Sequence, residues 1–238
     1  MSEHISRKEL KRNEVAETLQ HGADAVLSHQ KMIWIIGGAA LAVVLAVFGW
    51  RFYTDRQSTK ASAALEDAMK IFHARIRVPG EVEEPGEVTY VDEKNKFDDA
   101  AKKFTEVAQK YPRTRPGQVA QYYAALSYER LERYDDAQQW LRKAESGSED
   151  LAALARFQLA GVLAKTGKAE DAAKIYQQLM ANPPALVPKP VVMLALADHY
   201  LKTNPAEATK LYDQVRKDFA NTPAAEAAEK RLELLPKS

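Results

Sequence analysis

Four short segments of this chain recur at nearly one spacing, and that spacing limits the fold more than anything else in it. Lys96-Phe97-Asp98-Asp99-Ala100 aligns with Arg133-Tyr134-Asp135-Asp136-Ala137 and with Lys168-Ala169-Glu170-Asp171-Ala172. Asn204-Pro205-Ala206-Glu207-Ala208 fits the same pattern more loosely. The anchoring alanines, 100, 137, 172 and 208, step by 37, 35 and 36 residues. Four residues beyond each stands a large residue: Phe104, Leu141, Tyr176 and Tyr212. Three further on come Val107, Ala144, Leu179 and Val215. Steps of four and three keep all of these on one face of an α-helix. A fixed period of this size marks an array whose units bury their apolar faces only by stacking on one another.

Each of these helices is preceded by another with its own small-then-bulky pair: Ala125 and Tyr128, Ala160 and Leu163, Ala197 and Tyr200. Turn signals separate the units, at Tyr111-Pro112 to Pro116-Gly117, at Gly147, at Asn182-Pro183-Pro184 and at Asn221-Thr222-Pro223. The layout resembles the tetratricopeptide repeat, a helix–turn–helix unit with a period of about 34 residues. The resemblance implies an all-α solenoid of about four units. The first leading helix is expected over roughly 58–77, from Ala61, Ala64, Leu65, Ala68, Met69 and Phe72. An acidic loop, 78–95, follows it, with two Pro-Gly pairs and Glu81, Glu83, Glu84, Glu87, Asp92 and Glu93. Its charges suit a basic partner or simple solvation. A capping helix is expected over 223–235, with Thr222 as N-cap and Pro223 at the first position. Its Ala224, Ala227, Ala228, Leu232 and Leu235 face inward, as the last element of an array requires.

Ahead of the array lies an apolar run without charge, Met32 to Trp50, bounded by Lys31 and Arg51. As a helix it spans roughly 28 Å, close to the hydrocarbon thickness of a bilayer at about 30 Å. It is too long, and too far into the chain, for a cleaved signal peptide. The Ala61-Ser62-Ala63 triplet lies well past its end. Trp34 at one edge and Trp50, Phe52 and Tyr53 at the other form an aromatic belt. Three parts follow: an amphipathic tail over 1–31, a transmembrane signal anchor over 32–53, and a repeat domain over 54–238. The tail is short, so Arg7, Lys8, Lys11, Arg12 and Lys31 outweigh the cations beyond the anchor. That predicts a cytoplasmic N-terminus and a repeat domain on the far side.

Gly38, Ala42 and Ala46 share one face of the anchor, where small residues let another membrane helix approach closely. The plainer reading is that glycine and alanine are common in such helices. Ser6 and Glu9 fit a capping box for a tail helix with Val15, Leu19, Ala23, Val26 and Leu27 along one stripe. That helix suits anionic headgroups or a docking partner, or it is solvated beside Glu9, Glu14 and Glu17.

The residues offer no chemistry. His4, His21, His29, His73 and His199 include no pair at metal-ligand spacing on one domain helix. Asp198-His199 reads as helix surface rather than half a triad. Gly37-Gly38 lies inside the apolar run and is no phosphate loop. The absence of cysteine removes thiolate catalysis, thiolate zinc sites, disulfides and a lipid-modified cysteine anchor. A net charge of +1 with no basic stripe argues against nucleic acid. No enzyme activity, metal or cofactor is expected.

Recognition remains. Leading helices of such arrays line a concave face. The alignment places Tyr122, Glu129 and Arg130 there in the second unit, Phe157, Gly161 and Lys165 in the third, and Leu194, Asp198 and Lys202 in the fourth. Aromatic anchors with scattered charges suit an extended peptide or a partner's helix. The dicarboxylate clamp of cytosolic chaperone-binding repeats is absent, with Tyr122 and Leu126 at its positions.

The whole arrangement resembles the YfgM-like ancillary SecYEG translocon subunit family of bacterial inner membranes. The resemblance covers the tail ending near Ser28-His29-Gln30, the apolar run, and the repeats ending in Thr222-Pro223-Ala224-Ala225. It implies a cytoplasmic tail and periplasmic repeats in the bacterial inner membrane. It implies protein partners as well: translocon subunits, a membrane-anchored chaperone or exported clients. Related cell-division coordinators share the repeat style but are exported soluble proteins, and the anchor argues against that branch. The acidic loop departs from the family. The alternative role is a scaffold or regulator of cell-envelope or cell-division machinery.

Overall fold

The computed structural model describes residues 30–78, 81 and 86–235. The tail helix with its Ser6–Glu9 capping box lies outside the described residues, as do Glu83, Glu84 and the Pro79-Gly80 pair. The described residues form nine helices: α1 Gln30–His73, α2 Glu93–Lys110, α3 Arg115–Arg130, α4 Tyr134–Ala144, α5 Glu149–Lys165, α6 Ala169–Ala181, α7 Lys189–Tyr200, α8 Pro205–Asp218 and α9 Pro223–Glu233. Two two-residue strands, β1 Arg75–Ile76 and β2 Thr89–Tyr90, lie between α1 and α2. The chain divides into two units, one ending at Asp55 and one beginning at Arg56.

In the first unit every residue described from Trp34 to Tyr53 is exposed, the leucines, valines and tryptophans included. Such surface is unfavourable in water and at home in lipid. The mean hydropathy of 2.0 over its most apolar stretch makes this helix long and apolar enough to cross a membrane.

The second unit is a solenoid of helix pairs. Caps set where the helices begin. Asp92, Thr114, Ser148, Asn204 and Thr222 each accept a hydrogen bond from the backbone N–H three residues on, satisfying donors that a helix start leaves open. Pro116, Pro190, Pro205 and Pro223 stand in the first turns, where no amide is needed. Ala100, Ala137, Ala172 and Ala208 are fully buried, and so are Ala125, Ala160 and Ala197. Their small size lets paired helices approach, and Phe104, Leu141, Tyr176 and Tyr212 fill the layer between neighbours. Each such burial contributes about 1.5–3 kcal/mol. At the start of the array Phe72 meets Phe97, Phe104 and Tyr123 edge to face, at 5.6, 5.9 and 5.3 Å between centroids. That ring cluster fastens the end of α1 to α2 and α3.

From α2 to α9 consecutive helices pack, and α3 also touches α5, α5 touches α7 and α7 touches α9. The trailing helices α4, α6 and α8 lack contacts of that extent with one another. The array therefore curves with its leading helices inside.

Three expectations need correction. The first leading helix stops at His73 rather than residue 77, because Arg75 and Ile76 pair in parallel with Thr89 and Tyr90. Arg75 also holds Glu87 through two bonds of 2.8 and 3.0 Å and reaches Glu81. Both carboxyls sit below their ordinary range because that guanidinium donates to them. The acidic loop thus contains β2, and α2 starts inside it at Glu93. Pro116 and Gly117 belong to the first turn of α3, not to the turn before it. A side chain on Gly117 would stand 1.9 Å from the Tyr111 carbonyl oxygen, so only glycine fits. The capping helix ends at Glu233; Ala228 is buried, Ala224, Ala227, Leu232 and Leu235 pack half-buried against the core as expected, and Ala225 is buried as well.

Candidate partner groove

Nine residues were expected on the concave face, and the structure sorts them. Glu129 is the one best placed. Its carboxylate reaches from α3 to α5, where Oε1 accepts from Lys165 Nζ at 2.8 Å and Oε2 accepts from Gln158 Nε2. These bonds leave the Glu129 side chain 12% exposed. Tyr122 lies half-buried on the same helix, its ring edge-on to Tyr123 at 5.7 Å. Burial pushes its hydroxyl pKa up, with Tyr123 and Glu129 adding to the effect. Tyr122 and Glu129 therefore share one stretch of surface. Phe157 and Gly161 continue that surface on α5, and Phe157 packs edge-on against Tyr176 at 5.9 Å.

Arg130 turns away. Its guanidinium sits over the Phe97 ring at 5.3 Å, toward α2. Leu194 is core, 9% exposed. Lys202 is exposed in the turn after α7 rather than on the helix. Asp198 is on α7 but already committed: it accepts from Tyr212 on α8 at 2.6 Å and from Arg231 on α9 at 2.6 and 2.9 Å. Asp198-His199 is accordingly neither open helix surface nor half a triad. Asp198 faces α8 and α9, while His199 Nε2 lies 2.9 Å from the Ala169 carbonyl oxygen at the start of α6.

The reading of leading helices alone missed Tyr176 and Arg231. Tyr176 comes from trailing helix α6, yet its hydroxyl lies 3.7 Å from where a side chain on Gly161 would begin. It is pushed up to about 12 by burial first and then by the charges of Asp198 and Glu129. The signal was a hydroxyl at a repeat position held by Phe104 and Leu141 in earlier units. Gly161 itself sits inside α5, where glycine is about 1 kcal/mol less favourable than alanine.

Gly38, Ala42 and Ala46 are all exposed on α1, with nothing within 4 Å of the space beside Gly38. A cleft of about 620 Å³ opens elsewhere, between the start of α5 and the end of α6, lined by Ala152, Ala153, Ile175, Leu179 and Pro183 with Glu149 and Arg156 at its rim. It includes none of the groove residues.

The tetratricopeptide repeat-like domain family matches this chain over residues 29–183. The match runs from the apolar helix to the end of α6 and takes in more than half of the 238 residues. No curated protein matches the chain.

Proposed function

The chain belongs to the tetratricopeptide repeat-like domain family, and from that premise we propose a membrane-tethered adaptor that holds a segment of another protein in its groove. The observation that carries the reading is Glu129, buried by bonds from the next unit, which makes the leading helices of two repeats one continuous surface beside Tyr122 and Phe157. Repeat domains of this kind act as scaffolds by presenting such surfaces. The anchor, residues 32–53, adds effective concentration, because a tethered groove meets membrane-bound partners without a free search. In this reading the N-terminus is cytoplasmic and the repeats are periplasmic. The partners are Sec translocon subunits, a membrane-anchored chaperone or exported clients. Gly38, Ala42 and Ala46 are the face offered to a second membrane helix.

Mild-detergent co-purification of the full chain, with mass spectrometry of what accompanies it, tests this. Translocon subunits or a chaperone are expected, and Tyr122→Ala is expected to lose clients while staying folded, with a cooperative melt at a somewhat lower temperature. Gly38→Leu with Ala42→Leu should weaken association with membrane partners. Division or cell-wall proteins with no translocon component would instead establish the scaffold role.

A further inference from the structure

The cleft between α5 and α6 recurs along the array, and the repeat shows what fills it. Its α6 wall is Ile175, Gln178, Leu179 and Asn182, the repeat positions of Lys103, Glu106, Val107 and Lys110 in the first unit. Those four line a smaller cleft of about 270 Å³ between α1 and α2. In the second unit the position of Ile175 belongs to Trp140 and in the fourth to Leu211, and both side chains are buried, at 8% and 7% exposed. A cleft thus accompanies each unit whose own side chain at this position leaves the space unfilled.

The third unit holds its cleft open. The junction after α6 runs seven residues, 182–188, against four at 111–114, 145–148 and 219–222. Pro183 and Pro184 of that junction line the cleft, and their fixed φ stiffens the wall. The α5 wall offers Ala152 and Ala153, whose small side chains leave depth to a visitor. A volume of about 620 Å³ falls in the range of about 300–1,000 Å³ that ligand clefts occupy.

The second unit also states the chemistry. There the Lys143 ammonium lies over the Trp140 ring, 3.9 Å from its centroid. The third unit has Ile175 and Gln178 at these two positions, while Arg156 replaces the buried Gln121. Arg156 stands at the rim, its Nε donating to Glu145 Oε2 at 3.2 Å and its side chain 53% exposed. The cation is kept but moved from the α6 wall to the α5 wall, and the ring is what the cleft lacks. In the fourth unit the positions of Ile175 and Arg156 carry Leu211 and Met193, so a buried leucine goes with no cation there.

We infer that this cleft is a second docking point, outside the groove, for a tryptophan side chain presented by a protein partner, its indole against Ala152, Ala153 and Ile175 and beside the Arg156 guanidinium. It stands independently of the groove reading. Random peptides, first depleted on Ile175→Trp and then panned against the full wild-type chain in nanodiscs, are expected to share a tryptophan. Replacing it with alanine should weaken binding about thirtyfold, the loss of an aromatic anchor. Arg156→Gln, which installs the second unit's residue, should weaken it about threefold, as for an exposed cation–π contact. Ile175→Trp should fold with a urea midpoint at or above that of the wild type, because its own indole enters the cleft. Tyr122→Ala should bind the peptides as the wild type does. Recovery of no peptide, recovered peptides without a shared tryptophan, or a lower midpoint for Ile175→Trp overturns the docking point. Binding lost with Tyr122→Ala would seat the peptides in the groove, overturning the cleft and leaving the groove reading standing.

Discussion

Glu132 holds the backbone conformation that the next repeat gives to glycine. Its φ is 57°, and Gly167, at the same place in the following unit, has φ 79°. Both turns close the same way, with Arg133 N–H donating to the Tyr128 oxygen at 2.9 Å and Lys168 N–H to the Leu163 oxygen at 3.0 Å. The left-handed region costs a residue with a side chain roughly 1–2 kcal/mol, part of which glycine returns as unfolded-state entropy. Glu132→Gly should therefore stabilise the repeat domain by about 0.5–1 kcal/mol, read as a higher urea midpoint at unchanged slope. A lower midpoint would mean that the Glu132 side chain contributes more than its backbone costs. At this scale much was legible in the sequence. The alanines at 100, 137, 172 and 208 are fully buried because the repeat itself names the positions where helices touch. Arg130 and Leu194 were misplaced because a period gives the helical face only to within a residue, and the boundary between groove and core is set by curvature. Tyr176 reached the groove from the helix behind it, which no reading of leading helices anticipates.

Among elements, the join between α7 and α9 is the most specific. Arg231 grips Asp198 with two nitrogens, and Tyr212 donates to the same carboxylate. Both charged side chains are more than a third exposed, at 38% and 39%, so solvent screens the pair. A double-mutant cycle with Asp198→Ala and Arg231→Ala should give a coupling of about 1 kcal/mol. Asp198→Ala alone should cost more than Arg231→Ala, because it also strands the Tyr212 hydroxyl. Equal costs with zero coupling would show that α9 is held by its apolar face, Ala224, Ala225, Ala227, Ala228 and Leu232, without help from the ion pair. The capping helix was legible from Thr222-Pro223, a local cap. The end of α1 was not, because β1 pairs with residues more than a dozen positions away and no local pattern of Arg75-Ile76 announces that.

At the scale of the whole molecule, the helix long and apolar enough to cross a membrane gives the proposed tether its test. Leu41 lies at the middle of the run from Met32 to Trp50 and is exposed. Leu41→Arg should raise the insertion free energy by about 3 kcal/mol, moving the chain from the membrane pellet toward the soluble fraction after alkaline carbonate extraction. Unchanged pelleting would mean that something other than this helix holds the chain to the membrane. The short strand pair has a consequence for the architecture as well. By pairing Arg75 with Thr89 and Ile76 with Tyr90, it gathers the two stems of the insertion before the chain enters α2. Closing a loop twice as long costs only about 0.6 kcal/mol more. A change of chain length between the two stems should therefore cost the repeats little, so long as Glu81 and Glu87 keep their bonds to Arg75.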